Sequence, residues 1–585
     1  MKKPLSAILA AAMLAAIFTA CATDETTVVS NESAVDTETV TVVSDDTSEV
    51  LTQEKIKPEE LPSAVDLRDY NGKNYVTAVK RQAFGDCWSF GNIGAAESSY
   101  LYDNDLGVPA GEVNDNVNFS ERYMSWCVFH SITQEDVKTG KVRASQVGEG
   151  YDLSKPEEKS PNAAFFMGAA GYSGAAMFAS GFGPVDEYTQ VDGEYPYAYS
   201  DKNIVNTEDY EDYSASGDWS FPLNEKYRNA PLKALLRNGN FLPSPSAKDS
   251  EGNYVFSEDG LLAIKSEIAK GHAVGVTALV FGRMNYQNWA AYTDDDTVNH
   301  VITIVGYDDN YPKENFAVTD SDGEQLEDSI PPTDGAFIIK DSYGDVGGYD
   351  GAGSYYISYH DHTLTNPISF EFDKADSVKY TNLNYDQYDL LFFGACAYSD
   401  YESETKMANV FDAEEDEYLY QISYRTKMPN TTAHYAVYKD LQSDDPDSGT
   451  LLEEGDNFHW FGGAHKIDLK NCYELKKGDK YSVVITMTYT SDKGTQTYTD
   501  VIPYAPANKN GAFAKGVINK GESYRFSDGK WTDMTQIRQE LTDTTFNFYS
   551  KEKMPGEYKK DSADDVAIDN YPIKAILIPA GEYKD

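Results

Sequence analysis

The sequence predicts an α+β fold that runs on into an all-β sandwich, and three observations carry that expectation. Helical periodicity is concentrated early, over Cys87–Tyr102 and again from Ser120. Strand-like runs bounded by turn residues take over from Ala273. From about Lys379 to Ser550 only short alternating runs and turns remain. Helices followed by strands, rather than alternating with them, is the α+β order.

In the first helix, Phe90, Ile93, Ala96, Tyr100 and Leu101 fall near one face of a 3.6-residue repeat, with Gly85 and Asp86 before it as turn and cap. Ser120-Glu121-Arg122-Tyr123 opens a second amphipathic run. Gly260–Lys270 is a third, with Leu261, Leu262, Ile264, Ile268 and Ala269 among charges. Strands are expected over Ala273–Phe281, His300–Tyr307, Ala336–Lys340 and Ser354–Tyr359. In the β half, Tyr418-Tyr420-Ile422-Tyr424, His434-Ala436-Tyr438 and Tyr481-Val483-Ile485-Met487 each read as one face of a period-two run. The end of the chain, 551–585, reads as a polar tail.

With 585 residues the chain has room for two or three domains and a sizeable core. Its 44 Tyr against 6 Trp and its 43 Gly favour strands, turns and wet surfaces over helical bundles. A formal charge of −47 has the wrong sign for nucleic acid and fits a solvated extracellular surface. The five cysteines, Cys21, Cys87, Cys127, Cys396 and Cys472, make neither metal-ligand spacings nor a disulfide framework.

Met1-Lys2-Lys3 is a basic start, and Leu5–Phe18 is an apolar stretch too short to span a bilayer. The Phe18-Thr19-Ala20-Cys21 that follows resembles a bacterial lipobox. That resemblance implies a signal peptide over 1–21, lipidation of Cys21, and anchoring to the extracellular face of a bacterial membrane. Residues 22–60, rich in Thr, Ser, Asp and Glu, read as a disordered acidic stalk.

Order begins at Leu61-Pro62-Ser63-Ala64-Val65-Asp66-Leu67-Arg68. A thiol hydrolase needs a thiolate, a histidine, a group to orient that histidine, and donors for an oxyanion. Cys87 stands where the first helix begins, and the positive end of the helix dipole favours a thiolate there. By itself a cysteine near an apolar helix is more often a packed core residue. Its surroundings, Val79-Lys80-Arg81-Gln82-Ala83-Phe84-Gly85-Asp86-Cys87-Trp88-Ser89-Phe90, resemble the active-site segment of the papain-like cysteine peptidases. The resemblance implies Cys87 as nucleophile and Gln82 as oxyanion residue.

Further segments continue the resemblance in the family's order: Leu61 to Arg68, Phe119-Ser120-Glu121, Glu194-Tyr195-Pro196-Tyr197, Asn299-His300-Val301 through Val305-Gly306-Tyr307, and Ile338-Ile339-Lys340-Asp341-Ser342-Tyr343-Gly344. They imply His300 as base and Asp341 as its orienting group. Of the eight histidines only His300 has this context; His272, in Lys270-Gly271-His272-Ala273-Val274, reads as structural. Four features depart from the family pattern. Gln82 lies five positions before Cys87, Asp341 stands for Asn, Tyr343 stands for Trp, and Asp86 adjoins the nucleophile. Asp341 is expected to raise the pKa of His300, and Asp86 to disfavour the thiolate unless its side chain points away. Cys127 is expected to be a free core thiol. Residues 22–60 are too short for the helical inhibitory pro-domain of many relatives, so activity is expected without that kind of maturation.

The fold so implied is a papain-like, two-lobed peptidase domain over 61–375 followed by a β-sandwich over 379–550. The segment from Thr381 to Tyr549 is similar to the lectin-like β-domain that follows papain-like domains in secreted bacterial proteins. Asn382-Leu383-Asn384-Tyr385, Ala408-Asn409-Val410-Phe411, Leu475 to Asp479 and Ser527 to Asp533 carry the similarity. It implies adhesion to cell-surface carbohydrate or protein, with a structural brace as the equal alternative. Phe458-His459-Trp460-Phe461 is either a sugar platform or sandwich core. The acidic run Asp412–Glu417 lacks calcium-loop spacing. The expected function is a secreted, membrane-anchored cysteine endopeptidase acting on peptide or protein, with no cofactor. The alternative is a cell-surface adhesin on an impaired papain-like scaffold.

Overall fold

A computed structural model describes residues 60–583 apart from several segments, the longest being 154–167, 199–226, 374–383, 386–395 and 539–566. The expected signal peptide, Cys21, the stalk up to residue 59, and Glu194 lie outside the described residues.

Helix α1 spans Cys87–Asp103 and every residue from Cys87 to Leu101 is buried. A single apolar face was expected. The helix is instead enclosed on all sides, and besides the hydrogen-bonded Asn92 and Glu97 its polar positions are small: Ser89, Ser98 and Ser99, with Gly91, Gly94, Ala95 and Ala96 between them. Small residues let neighbouring backbone come close. A Cβ on Gly91 would lie 2.6 Å from Val301 Cγ1, and one on Gly94 2.6 Å from Thr303 Oγ1. Helix α2, Glu121–Val128, starts where expected, because the Ser120 side chain accepts the N–H of Tyr123. The short α3, Gln134–Lys138, and α4, Tyr172–Ala179, were not foreseen. Helix α5 spans Glu258–Ala269; Ser257 caps it by accepting the N–H of Gly260, so it begins two residues before the expected Gly260. Among the described residues no helix is long and apolar enough to cross a membrane.

The expected strands appear at Val274–Ala278, His300–Asp308, Ala336–Lys340 and Ser354–Ser358. They are adjacent and antiparallel, with His300 opposite Ala278 and Thr303 opposite Lys340. Thr365–Phe372 and Leu236–Phe241 extend the sheet on the other side of Val274–Ala278.

At Leu236–Phe241 the two halves of the chain join. Gly462–His465, at the start of the long strand Gly462–Leu475, pair with Phe241–Asn238. One 13-stranded sheet therefore continues through Glu417–Thr426 and Lys574–Pro579 to Asn384–Tyr385. Gly463 meets this seam with φ +151, where a Cβ would sit 2.2 Å from Gly239 O. Ion pairs from Arg237 to Asp373 (2.6 Å) and Asp468 (2.8 Å), and from Lys466 to Asp373 (2.5 Å), fasten it further. Phe461, of the aromatic run, packs onto the core of the first half.

A second, eight-stranded sheet faces the far portion of the first. Leu419, Ile422 and Tyr424 from one sheet and Met407, Tyr481, Val483, Ile485 and Met487 from the other share a core, which is the expected sandwich. The end of the chain differs from the expected polar tail. Lys574–Pro579 is a buried strand paired with Glu417–Thr426, its Ala575-Ile576-Leu577-Ile578 run inside both layers of packing. Asn409 pins this end by donating to the carbonyls of Tyr571 (2.8 Å) and Ile573 (2.9 Å).

Candidate active site

Cys87 is the first residue of α1 and is 2% exposed. His300 is the first residue of its strand. The glycine contacts at Gly91 and Gly94 set α1 flat against that strand, and Thr303 Oγ1 donates to Gly91 O at 3.2 Å. Helix start and strand start thus come together. Asp341 follows Lys340, the last residue of the neighbouring strand, and its Oδ1 lies 2.9 Å from His300 Nε2. Nε2 is thereby taken, which leaves Nδ1 as the ring nitrogen for Cys87. Burial opposes a charge on the ring, but Cys87 and Asp341 outweigh it and raise the His300 pKa to about 10.

The carboxylate of Asp341 is itself held. Ser342 N–H donates to its Oδ1 at 2.7 Å, and buried Tyr355 stands close enough for Asp341 to raise the phenol's pKa beyond what burial does alone. Tyr343 stacks on His300 with ring centroids 5.3 Å apart and planes 11° apart, covering one face of the imidazole. Asp86 is buried, and its carboxylate accepts from Ser125 Oγ at 3.3 Å, so the side chain turns toward α2.

Gln82 is buried beside these groups. Its backbone N–H donates to Ser342 O at 2.8 Å, and its side-chain oxygen accepts from Ser342 Oγ at 2.5 Å. Its amide nitrogen donates to Phe84 O at 2.8 Å. An amide NH2 has two hydrogens, so a second N–H is left to donate. Sequence reasoning gave Ser342 and Tyr355 no role, although Ser342 sits within a segment it singled out.

Beneath the site lies a buried charge cluster. Lys80 Nζ donates to Glu97, Glu121 and the carbonyl of Phe119, each at 2.8 Å. Lys340 Nζ donates to Thr77 at 2.6 Å and lies 3.7 Å from Glu97. Lys80 and Lys340 hold Glu97 below the usual carboxylate range against its burial. Glu187 goes the other way: burial, with Glu121 and Glu97 near, pushes it well up despite Lys80. Lys80, Glu121 and Lys340 come from three of the motif segments, which ties those segments together beneath the thiol.

The remaining histidines serve elsewhere. His130 stacks on Trp126, and His459 stacks on His465 in the β half. Cys127 is a buried thiol that is not part of a disulfide.

Residues 386–546 match the family described as Lectin like domain. No curated protein matches the chain. Among solved structures, the clostridial cysteine protease Cwp84 after propeptide cleavage is 19% identical, with a TM-score of 0.56 over 89% of this chain and 100% of that one. The cysteine protease and lectin-like domains of Cwp84, a surface layer associated protein of Clostridium difficile, give 19% identity and a TM-score of 0.55 over 89% of each chain. At this identity the likeness shows the fold: this chain has the fold of a cysteine protease joined to a lectin-like domain.

Proposed function

We propose that the chain is a cysteine endopeptidase of the bacterial cell surface. The observation that carries this reading is the buried His300–Asp341 pair at 2.9 Å, set at a strand start against a cysteine at a helix start. Cys87 Sγ attacks the peptide carbonyl. The backbone N–H of Cys87 and the second amide N–H of Gln82 hold the oxyanion. His300 protonates the leaving amine and then takes a proton from the water that releases the acyl group, while Asp341 fixes the ring. No step calls on a cofactor.

The same reading places the chain outside the cell, with Cys21 lipidated and residues 22–60 as the spacer. Cwp84 is a surface-layer-associated protein, which agrees with that location. The lectin-like match at 386–546 supports a carbohydrate ligand as a second partner, carried on a half that is joined to the peptidase through one sheet.

The test is covalent labelling. An epoxide-type thiol inhibitor at neutral pH should label Cys87 rapidly and leave the buried Cys127 alone. Equal, slow labelling of both thiols would refute the peptidase reading and favour an adhesin on this scaffold.

A further inference from the structure

We propose that His272, Glu267 and Glu371 form a site for a divalent transition ion of the Zn2+ type at the far end of α1, with Asp103 as the group that orients His272. Asp103 is the last residue of α1, so the site lies about 24 Å from Cys87 at 1.5 Å per helical residue.

The histidine is the first argument. His272 is 7% exposed, and its Nε2 lies 2.9 Å from Asp103 Oδ1. A carboxylate on one ring nitrogen leaves the other as a lone-pair donor, which is the usual arrangement behind a metal-bound histidine. That other nitrogen, Nδ1, is buried and has no hydrogen-bond partner. It faces Glu267 Oε2 at 3.6 Å. Ligands of a tetrahedral ion with bonds of about 2.0–2.2 Å stand about 3.4 Å apart.

The carboxylates are the second argument. One oxygen each from Glu267 and Glu371 and Nδ1 of His272 all lie within 4.8 Å of one another. Each carboxylate is already oriented. Glu267 accepts from Lys270 at 2.9 Å and from Ser369 at 2.8 Å. Glu371 accepts from Asn238 at 2.6 Å and from Asn240 at 3.4 Å. Asp103 is fixed by the N–H of Phe372 at 3.0 Å. Asp103 and Glu267 flank the two ring nitrogens of His272, with Lys270 on Glu267 and Glu371 close by. Without an ion these carboxylates favour a proton on the ring against its burial; once an ion displaces that proton from Nδ1, three carboxylates and one lysine leave two negative charges, which a dication matches. Glu371 is only half-buried and gives the ion a way in.

An ion here would tie the end of α1 to α5 and to the strand Thr365–Phe372. The neighbouring strand, Leu236–Phe241, supplies Asn238 and Asn240 and is the one that meets the β half. The role is structural.

The experiment titrates metal-free full chain with Zn2+ by equilibrium dialysis, in a Cys87→Ala background that removes the thiol of the other site. One tight equivalent is expected, weakened at least about tenfold in Glu371→Gln and in His272→Gln, and roughly 10–100-fold in Asp103→Asn. Zinc X-ray absorption on the loaded chain reads the ligands without those variants, and should show one imidazole among oxygens. Absence of a tight equivalent, unchanged affinity in the folded variants, or a sulfur ligand would overturn the proposal.

Discussion

The hydroxyl of Ser342 donates to the side-chain oxygen of Gln82 at 2.5 Å, while the N–H of the same serine donates to Asp341 at 2.7 Å. One residue thus spans the two groups assigned to the oxyanion and to the histidine. It also fixes which end of the Gln82 amide carries the donors.

Ser342→Ala should therefore act on kcat more than on KM. The amide loses its orienting bond, and small misplacements of a catalytic group can cost about a hundredfold. Peptide hydrolysis should fall by about ten- to a hundredfold, with Ser342→Thr recovering part of it. An unchanged kcat would show that the bond positions nothing.

Asp341→Asn should change the pH dependence of stability. His300 has a folded pKa of about 10 against an ordinary 6.5, held up by Cys87 and Asp341 against burial. A raised histidine pKa gives stability that is complete below about 6.5 and is lost as pH climbs through about 10. Removing the carboxylate lowers the folded pKa, so the alkaline loss becomes smaller and comes earlier. Denaturant midpoints at pH 6 and pH 10 read this directly, and identical slopes in both proteins would contradict it.

The buried cluster under the thiol gives two opposite expectations. Lys80→Met takes the hydrogen-bonded cation from Glu97 and Glu121, leaving Glu97 with the more distant Lys340, and losing one partner of a buried pair costs about 3–5 kcal/mol. Glu187→Gln should instead be tolerated. Its carboxyl pKa is raised in the fold, so the stability it contributes falls as pH rises above the unfolded value. Glutamine keeps the neutral form, so the variant should match the wild type in acid and exceed it above neutral pH. Thermal unfolding at two pH values checks both.

Much of this was legible in the sequence, and what was not has identifiable causes. Cys87 and Gln82 stand in one motif segment and His300 and Asp341 in two others, and the structure brings all four together. The start of α2 follows from Ser120, and the four sheet strands from β-rich runs between turn residues, whereas the cap at Ser257 was missed. The face of Tyr418-Tyr420-Ile422-Tyr424 was half wrong. A bulge between Leu419 and Gln421 switches the side chains, so Leu419 goes inward with Ile422 and Tyr424, while Tyr418 and Tyr420 face Ile576 and Ile578. Bulges leave no periodic trace. The strand at Lys574–Pro579 did leave one, in four consecutive apolar residues, but the charged stretch before it hid it. The continuous sheet was not legible at all, because pairing between strands as far apart in sequence as Phe241 and Gly462 depends on tertiary contact.

That continuity is testable at Gly463. Gly463→Val puts side-chain atoms into the Gly239 carbonyl at the seam and demands a φ that valine avoids. Forced overpacking of this kind costs typically about 1–3 kcal/mol. The unfolding midpoint should drop and protease cutting between the halves should rise. A neutral result would mean that the seam does not couple them.

The most direct test of the central claim is hydrolysis of a mixed peptide library by the full chain beside its Cys87→Ala variant. Cleavage by the wild type that disappears in Cys87→Ala is the predicted result. Cleavage that survives in the variant, or a wild type that is folded yet cuts nothing, would contradict the account.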